Sequence, residues 1–198
     1  MACQSSCIDI DSERSYWDRI ENPDRKLLYF GYIGLVIGFH VYFFLYAGNW
    51  EYYYSGAWTH EEGQIAKILS SGFYIFNREI PIPKLIATPL TLAAFCAGTY
   101  GIFRIAEKTY RQYLETGEKI GKTLPYNQFL HQIFTICTLI AWNVFWIFGG
   151  RSNLAVLPQW AENLFTGFLV IVSGIWFTQT FRRSSEQYNR EKLAVTLR

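Results

Sequence analysis

Residues 164–181, LFTGFLVIVSGIWFTQTF, run for eighteen positions without a charged side chain and stop at Arg182 and Arg183. A helix rises about 1.5 Å per residue, so such a stretch just crosses roughly 30 Å of hydrocarbon. Three more stretches, 27–47, 85–103 and 129–148, are equally free of Asp, Glu, Lys and Arg. The pattern predicts an all-α four-transmembrane-helix bundle in a single domain, 27–181. Hydrophobic residues make up 51% of the 198, yet mean hydropathy is only +0.06. The 19% of aromatic residues explain the gap. Hydropathy scales score Tyr and Trp low, whereas in a bilayer protein these rings anchor at the headgroups as an aromatic belt.

The connections carry weaker signals. Residues 1–26 read as a polar tail in which Trp17 and Ile20, three apart, suit a brief helix lying on the membrane surface; a solvated tail is the alternative. No apolar signal-peptide core opens the chain, so the first span is expected to serve as an uncleaved insertion signal. In the first extramembrane connection Ile65, Ile68, Leu69, Phe73 and Phe76 approximate one helical face around Lys67. They predict an interfacial helix over 64–76, ended by Pro81 and Pro83. The second span is expected to continue as a polar helix to about Glu115, with Glu107 and Arg111 as an i,i+4 pair. Residues 182–198 read as a polar, basic tail. Gly34 and Gly38 form a GxxxG pair, and Ala94, Gly98 and Gly101, with Ala97, form small-residue ridges. Both are expected to let helices approach closely in lipid.

Basic residues predict the orientation. Arg14, Arg19, Arg25 and Lys26 precede the first span, Arg104, Lys108, Arg111, Lys119 and Lys122 follow the second, and Arg182, Arg183, Arg190, Lys192 and Arg198 follow the fourth. The other side holds Lys67, Arg78, Lys84 and Arg151. The excess places both termini on the cytoplasmic or stromal side of a plasma, inner or thylakoid membrane. The net charge of +2 is too small to imply nucleic acid as a partner.

Three histidines bound the chemistry. His40 and His131 sit in spans that run the same way, thirteen residues past Leu27 and two past Phe129, so their depths differ by roughly 16 Å. That offset argues against one haem held between them and leaves single-histidine ligation of haem or chlorophyll. His131 and Gln132, with Tyr126 near, also provide donors for a quinone at interface depth. His60, Glu61 and Glu62 could hold a transition metal, although adjacent residues rarely share one ion. A solvated acidic start to the following helix is the blander role for them. Cys3 and Cys7 lack the further ligands that close a zinc site. Asn143 suits an interhelical hydrogen bond. Three histidines are too few for a membrane di-iron oxygenase. Spans without acidic or basic groups, and without an internal repeat, do not favour a transporter or channel.

The expectation is a non-catalytic accessory or assembly subunit of a larger membrane complex, respiratory or photosynthetic, with the bilayer and other membrane-protein subunits as its partners. The competing expectation is a redox or pigment-binding protein that holds haem, chlorophyll or quinone through His40 or His131. A small transporter or channel stands third.

Overall fold

In a computed structural model of the chain, the described residues are 11–47, 63, 66–75, 78–116, 124–150, 154 and 157–196. Six helices and one hairpin account for nearly all of them. They are α1 (Ser12–Asp18), α2 (Pro23–Ala47), β1 (Ser71–Ile75), β2 (Arg78–Pro83), α3 (Lys84–Thr116), α4 (Tyr126–Val144), α5 (Gln159–Phe181) and α6 (Ser185–Thr196). Helix α4 runs on as a π-helical turn, Phe145–Gly150. Four helices are long and apolar enough to cross a membrane, spanning Pro23–Phe43, Lys84–Thr116, Tyr126–Gly150 and Gln159–Phe181. The chain is an all-α integral membrane protein.

Local chemistry sets the helix starts. Asn22 accepts a hydrogen bond from the Asp24 amide and Pro23 takes the first position of α2, where its missing N–H costs nothing. Pro125 and Pro158 stand one position earlier, at the caps of α4 and α5, where their carbonyls accept from the Phe129 and Ala161 amides. Ser184 and Gln187 cap each other's backbone N–H groups at the start of α6, the reciprocal arrangement of Ser-x-x-Gln.

The long helices lie in a row, α3–α2–α4–α5. Helices α2 and α3 are antiparallel and close. A Cβ added at Gly34 would collide with the Thr99 hydroxyl and the Phe95 carbonyl, and one at Gly38 would lie 2.8 Å from Phe95 Cβ. Thr99 also donates across the seam to the Phe30 carbonyl at 2.7 Å. On α3 the face turned to α2 is the i,i+4 stripe of Phe95, Thr99, Phe103 and Glu107. The small-residue ridges were expected there instead. Ala94, Ala97 and Gly98 are exposed, and nothing lies within 4 Å of a Cβ built on Gly98 or Gly101. The glycines of α2 already permit the close approach, so α3 can present bulky Phe95 to them.

The connection before α3 also departs from expectation. In place of an interfacial helix over 64–76 there is one 3-10 turn, Ala66–Leu69, and then the antiparallel hairpin of β1 and β2, pairing Phe73 with Ile80 and Ile75 with Arg78. The physical reason lies in Gly72, whose α-carbon packs against Ala87 where no side chain fits, and in the prolines of β2, which forbid a helix but suit an edge strand. The rings of Phe73 and Tyr42 lie 6.3 Å apart, which fastens the hairpin to the far end of α2.

Both tails are built into the bundle at the end opposite the hairpin. Trp17 and Ile20 are buried with Phe30, Ile33, Leu130, Ile133, Phe134 and Cys137. Helix α1 is thus packed into the bundle, across the tail ends of α2, α4 and α5. Burying a side chain such as Ile20 from water is worth about 1.5–3 kcal/mol.

Candidate functional site: a cleft between α2 and α5

Helices α2 and α5 flank α4, and a cleft of about 560 Å³ opens between them at the end that carries both tails. Its floor comes from α4, where His131, Phe134, Thr135 and Thr138 fall at i, i+3, i+4 and i+7. One wall comes from α5, with Trp176, Gln179 and Thr180, and from Arg183 two residues past its end. Tyr29 of α2 and Ser12, Glu13, Tyr16 and Trp17 of α1 complete it.

His131 is the best-determined polar group in the cleft. Its Nε2 lies 2.7 Å from the Thr180 carbonyl, which can only accept, so Nε2 carries the proton. Nδ1 then accepts from the Tyr16 hydroxyl at 2.8 Å. Both ring nitrogens are used, and ligation of haem iron or chlorophyll magnesium by His131 would first have to break one of these bonds. Burial pushes the Tyr16 phenol well above its ordinary pKa and keeps it a neutral donor. Trp17 packs on the imidazole with centroids 4.9 Å apart.

A lock of charges holds α1 over the cleft. Arg183 donates to both oxygens of Glu13 (2.8 and 3.0 Å) and to both oxygens of Glu191 (2.7 and 2.6 Å). Asp11 accepts from Tyr188 and Lys192 of α6. Arg183 holds the Glu13 and Glu191 carboxyls below their ordinary range, and Lys192, seconded by Tyr188, holds Asp11 far below it. Bidentate guanidinium–carboxylate pairs of this kind are both directional and strong.

The other candidates fall elsewhere. His40 is buried on α2 with its ring 5.8 Å from that of Phe148. Phe148 lies seventeen residues beyond His131 along α4 and its π-helical turn, about 25 Å at the helical rise. The two histidines thus sit near opposite ends of the bundle. Gln132 is half-buried and does not line the cleft, and Tyr126 belongs to a separate polar cluster. His60, Glu61 and Glu62, like Cys3 and Cys7, lie outside the described residues. Among the described residues no three His, Cys, Asp or Glu side chains converge as a metal site. Asn143 does bond across helices, to Ser173 of α5 at 3.0 Å.

Glu107 does not pair with Arg111 as expected. Its carboxylate is buried and accepts from Lys26 at 2.6 Å, from Arg104 at 2.6 Å and from the Tyr126 hydroxyl. Arg111 instead reaches Glu21 at 3.9 Å and lies over the Tyr126 ring. The sequence showed Lys26 only as one more basic residue before a span. Of the cleft the sequence pointed to His131 alone; the signal it also held was the polar residues Thr135, Thr138, Gln179 and Thr180 inside uncharged spans.

No family model matches the chain, and neither does any curated protein or solved structure.

Proposed function

We propose that this protein is an accessory or assembly subunit of a larger membrane complex, of the respiratory or photosynthetic electron-transfer kind, and that it performs no reaction itself. The observation that supports this reading is the outer face of α3. Helix α3 ends the row, and its exposed Ala93, Ala94, Ala97 and Gly98 leave open room beside the backbone over about one and a half turns. In lipid, helices associate through such faces, because small side chains let backbones approach and gain dispersion contacts that hydrocarbon tails alone do not supply. The same face is not needed internally, since α2 is met by Phe95 and Thr99. The basic residues gathered around both tails support an orientation with the termini on the cytoplasmic or stromal side.

The test is native co-purification in mild detergent with cross-linking, followed by mass spectrometry. Wild-type protein is expected to retain at least one membrane-protein partner, cross-linked along α3. Gly98→Leu is expected to fold normally and lose that partner. Wild-type protein that runs as a lone monomer, with no cross-link along α3, would refute the reading.

A further inference from the structure

We infer that the α2–α4–α5 cleft is the head chamber of a lipid site, and that its occupant is an uncharged quinone-class lipid with a single apolar tail. This goes beyond the accessory reading and stands or falls without it. The first support is continuity. Tyr29 and Thr138 of the polar chamber also line an apolar trough of about 420 Å³ between α2 and α4, which runs past Tyr32 and Trp142 to Trp146. Thr138, Trp142 and Trp176 also line a third hollow of about 250 Å³ against α5. From His131 to Trp146 the site extends fifteen residues along α4 and its π-helical turn, about 22 Å, enough to take a tail from headgroup level past the middle of a bilayer. A site with one polar end and one long apolar end selects an amphiphile.

Charge selects the head. The Arg183 guanidinium is divided between Glu13 and Glu191, and both Glu13 oxygens are taken by Arg183, with Trp17 adding a bond to one of them. The two charged residues that line the chamber, Glu13 and Arg183, thus neutralise each other, and the neighbouring Arg25 is turned over the Tyr16 ring at 5.3 Å, so an uncharged head is favoured over a phosphate. Glu13 already accepts three bonds, two of them from Arg183, so an ammonium would gain little there. What remains is neutral. Gln179 is exposed at the chamber wall with an amide that can donate to a carbonyl. The Thr135 and Thr138 hydroxyls donate to their own helix, to the His131 and Phe134 carbonyls, and so turn lone pairs outward for a quinol hydroxyl. Tyr29 and Trp176, from helices on either side of α4, supply flat walls for a planar ring.

The experiment uses the full chain in phosphatidylcholine nanodiscs, titrated with a decyl-tailed benzoquinone and followed by tryptophan quenching. Wild type is expected to show a saturable component above simple partitioning. Gln179→Leu, an exposed change, is expected to weaken it about fivefold, the value of one neutral hydrogen bond. Thr138→Trp fills the junction of the three hollows and is expected to abolish saturation while the helical circular dichroism stays intact. Non-saturable quenching in the wild type, or equal quenching in wild type and Thr138→Trp, overturns the inference. So does displacement of the quinone by phosphatidylglycerol, which would make the chamber an anionic-lipid site.

Discussion

Removing the Glu107 carboxylate tests how the row of helices is tied together at its tail end. Glu107 and Lys26 have side chains 5% and 7% exposed and meet at 2.6 Å. Arg104, 47% exposed, adds a solvent-screened contact worth about 0–1 kcal/mol. In Glu107→Leu the Lys26 ammonium keeps only the Tyr126 hydroxyl, at 3.2 Å, among the partners seen here. Breaking one side of a buried pair typically costs about 3–5 kcal/mol, most of it the penalty of the stranded charge. The double variant Lys26→Met, Glu107→Leu removes both charges and fills the space with apolar atoms, so it is expected to return to within about 1 kcal/mol of wild type. Unfolding in mixed micelles of mild detergent and dodecyl sulfate, followed by tryptophan fluorescence, gives all four corners of the cycle. The reasoning fails if Glu107→Leu alone costs less than about 1 kcal/mol, or if the double variant is no more stable than the worse single one.

Two further outcomes follow from the same contacts. Gly34→Ala places a methyl group against Phe95 and Thr99 and is expected to cost about 1–3 kcal/mol in that unfolding assay, whereas Gly98→Ala, with open space beside it, should stay within about 0.5 kcal/mol. Equal costs would show that the two glycines do not differ in their neighbours. The charge lock should also respond to acid. The carboxyls of Asp11, Glu13 and Glu191 are all depressed in the folded state, so their stabilisation is full above the ordinary carboxylate pKa of about 4 and is lost as pH falls through the lower folded values. Protease cleavage near α1 is expected to stay constant from neutral pH down to about 5 and to rise below about 4. In Arg183→Gln it should already be raised at neutral pH; an unchanged profile there would remove Arg183 from the lock.

The membrane-crossing architecture was readable from the chain because it depends on a one-dimensional property. A segment with no charge over twenty or so residues has to be placed in oil whatever its neighbours are, and the four helices fall where those segments lie. Local capping chemistry went unread although it is equally local: Asn22-Pro23 and Ser184-Ser185-Glu186-Gln187 act on backbone groups within a turn. Which face of a helix meets which neighbour was not readable. Small residues at 94, 98 and 101 and the stripe of Phe95, Thr99 and Phe103 are equally periodic, and the choice between them depends on the glycines of α2. The hairpin escaped a periodicity argument because its stability comes from Gly72 against Ala87, a contact made across the fold.

The sequence by itself determined the solvent of each segment, the number of spans and the chemistry of their ends, because burial in lipid and backbone capping are local constraints. Only the tertiary structure decided that α1 packs over the tail ends of α2, α4 and α5, that Lys26 meets Glu107, and that Tyr16 and Thr180 occupy both nitrogens of His131. These groups are far apart in the chain. The energy that joins them, desolvation answered by a specific partner, exists only once the helices have been brought side by side.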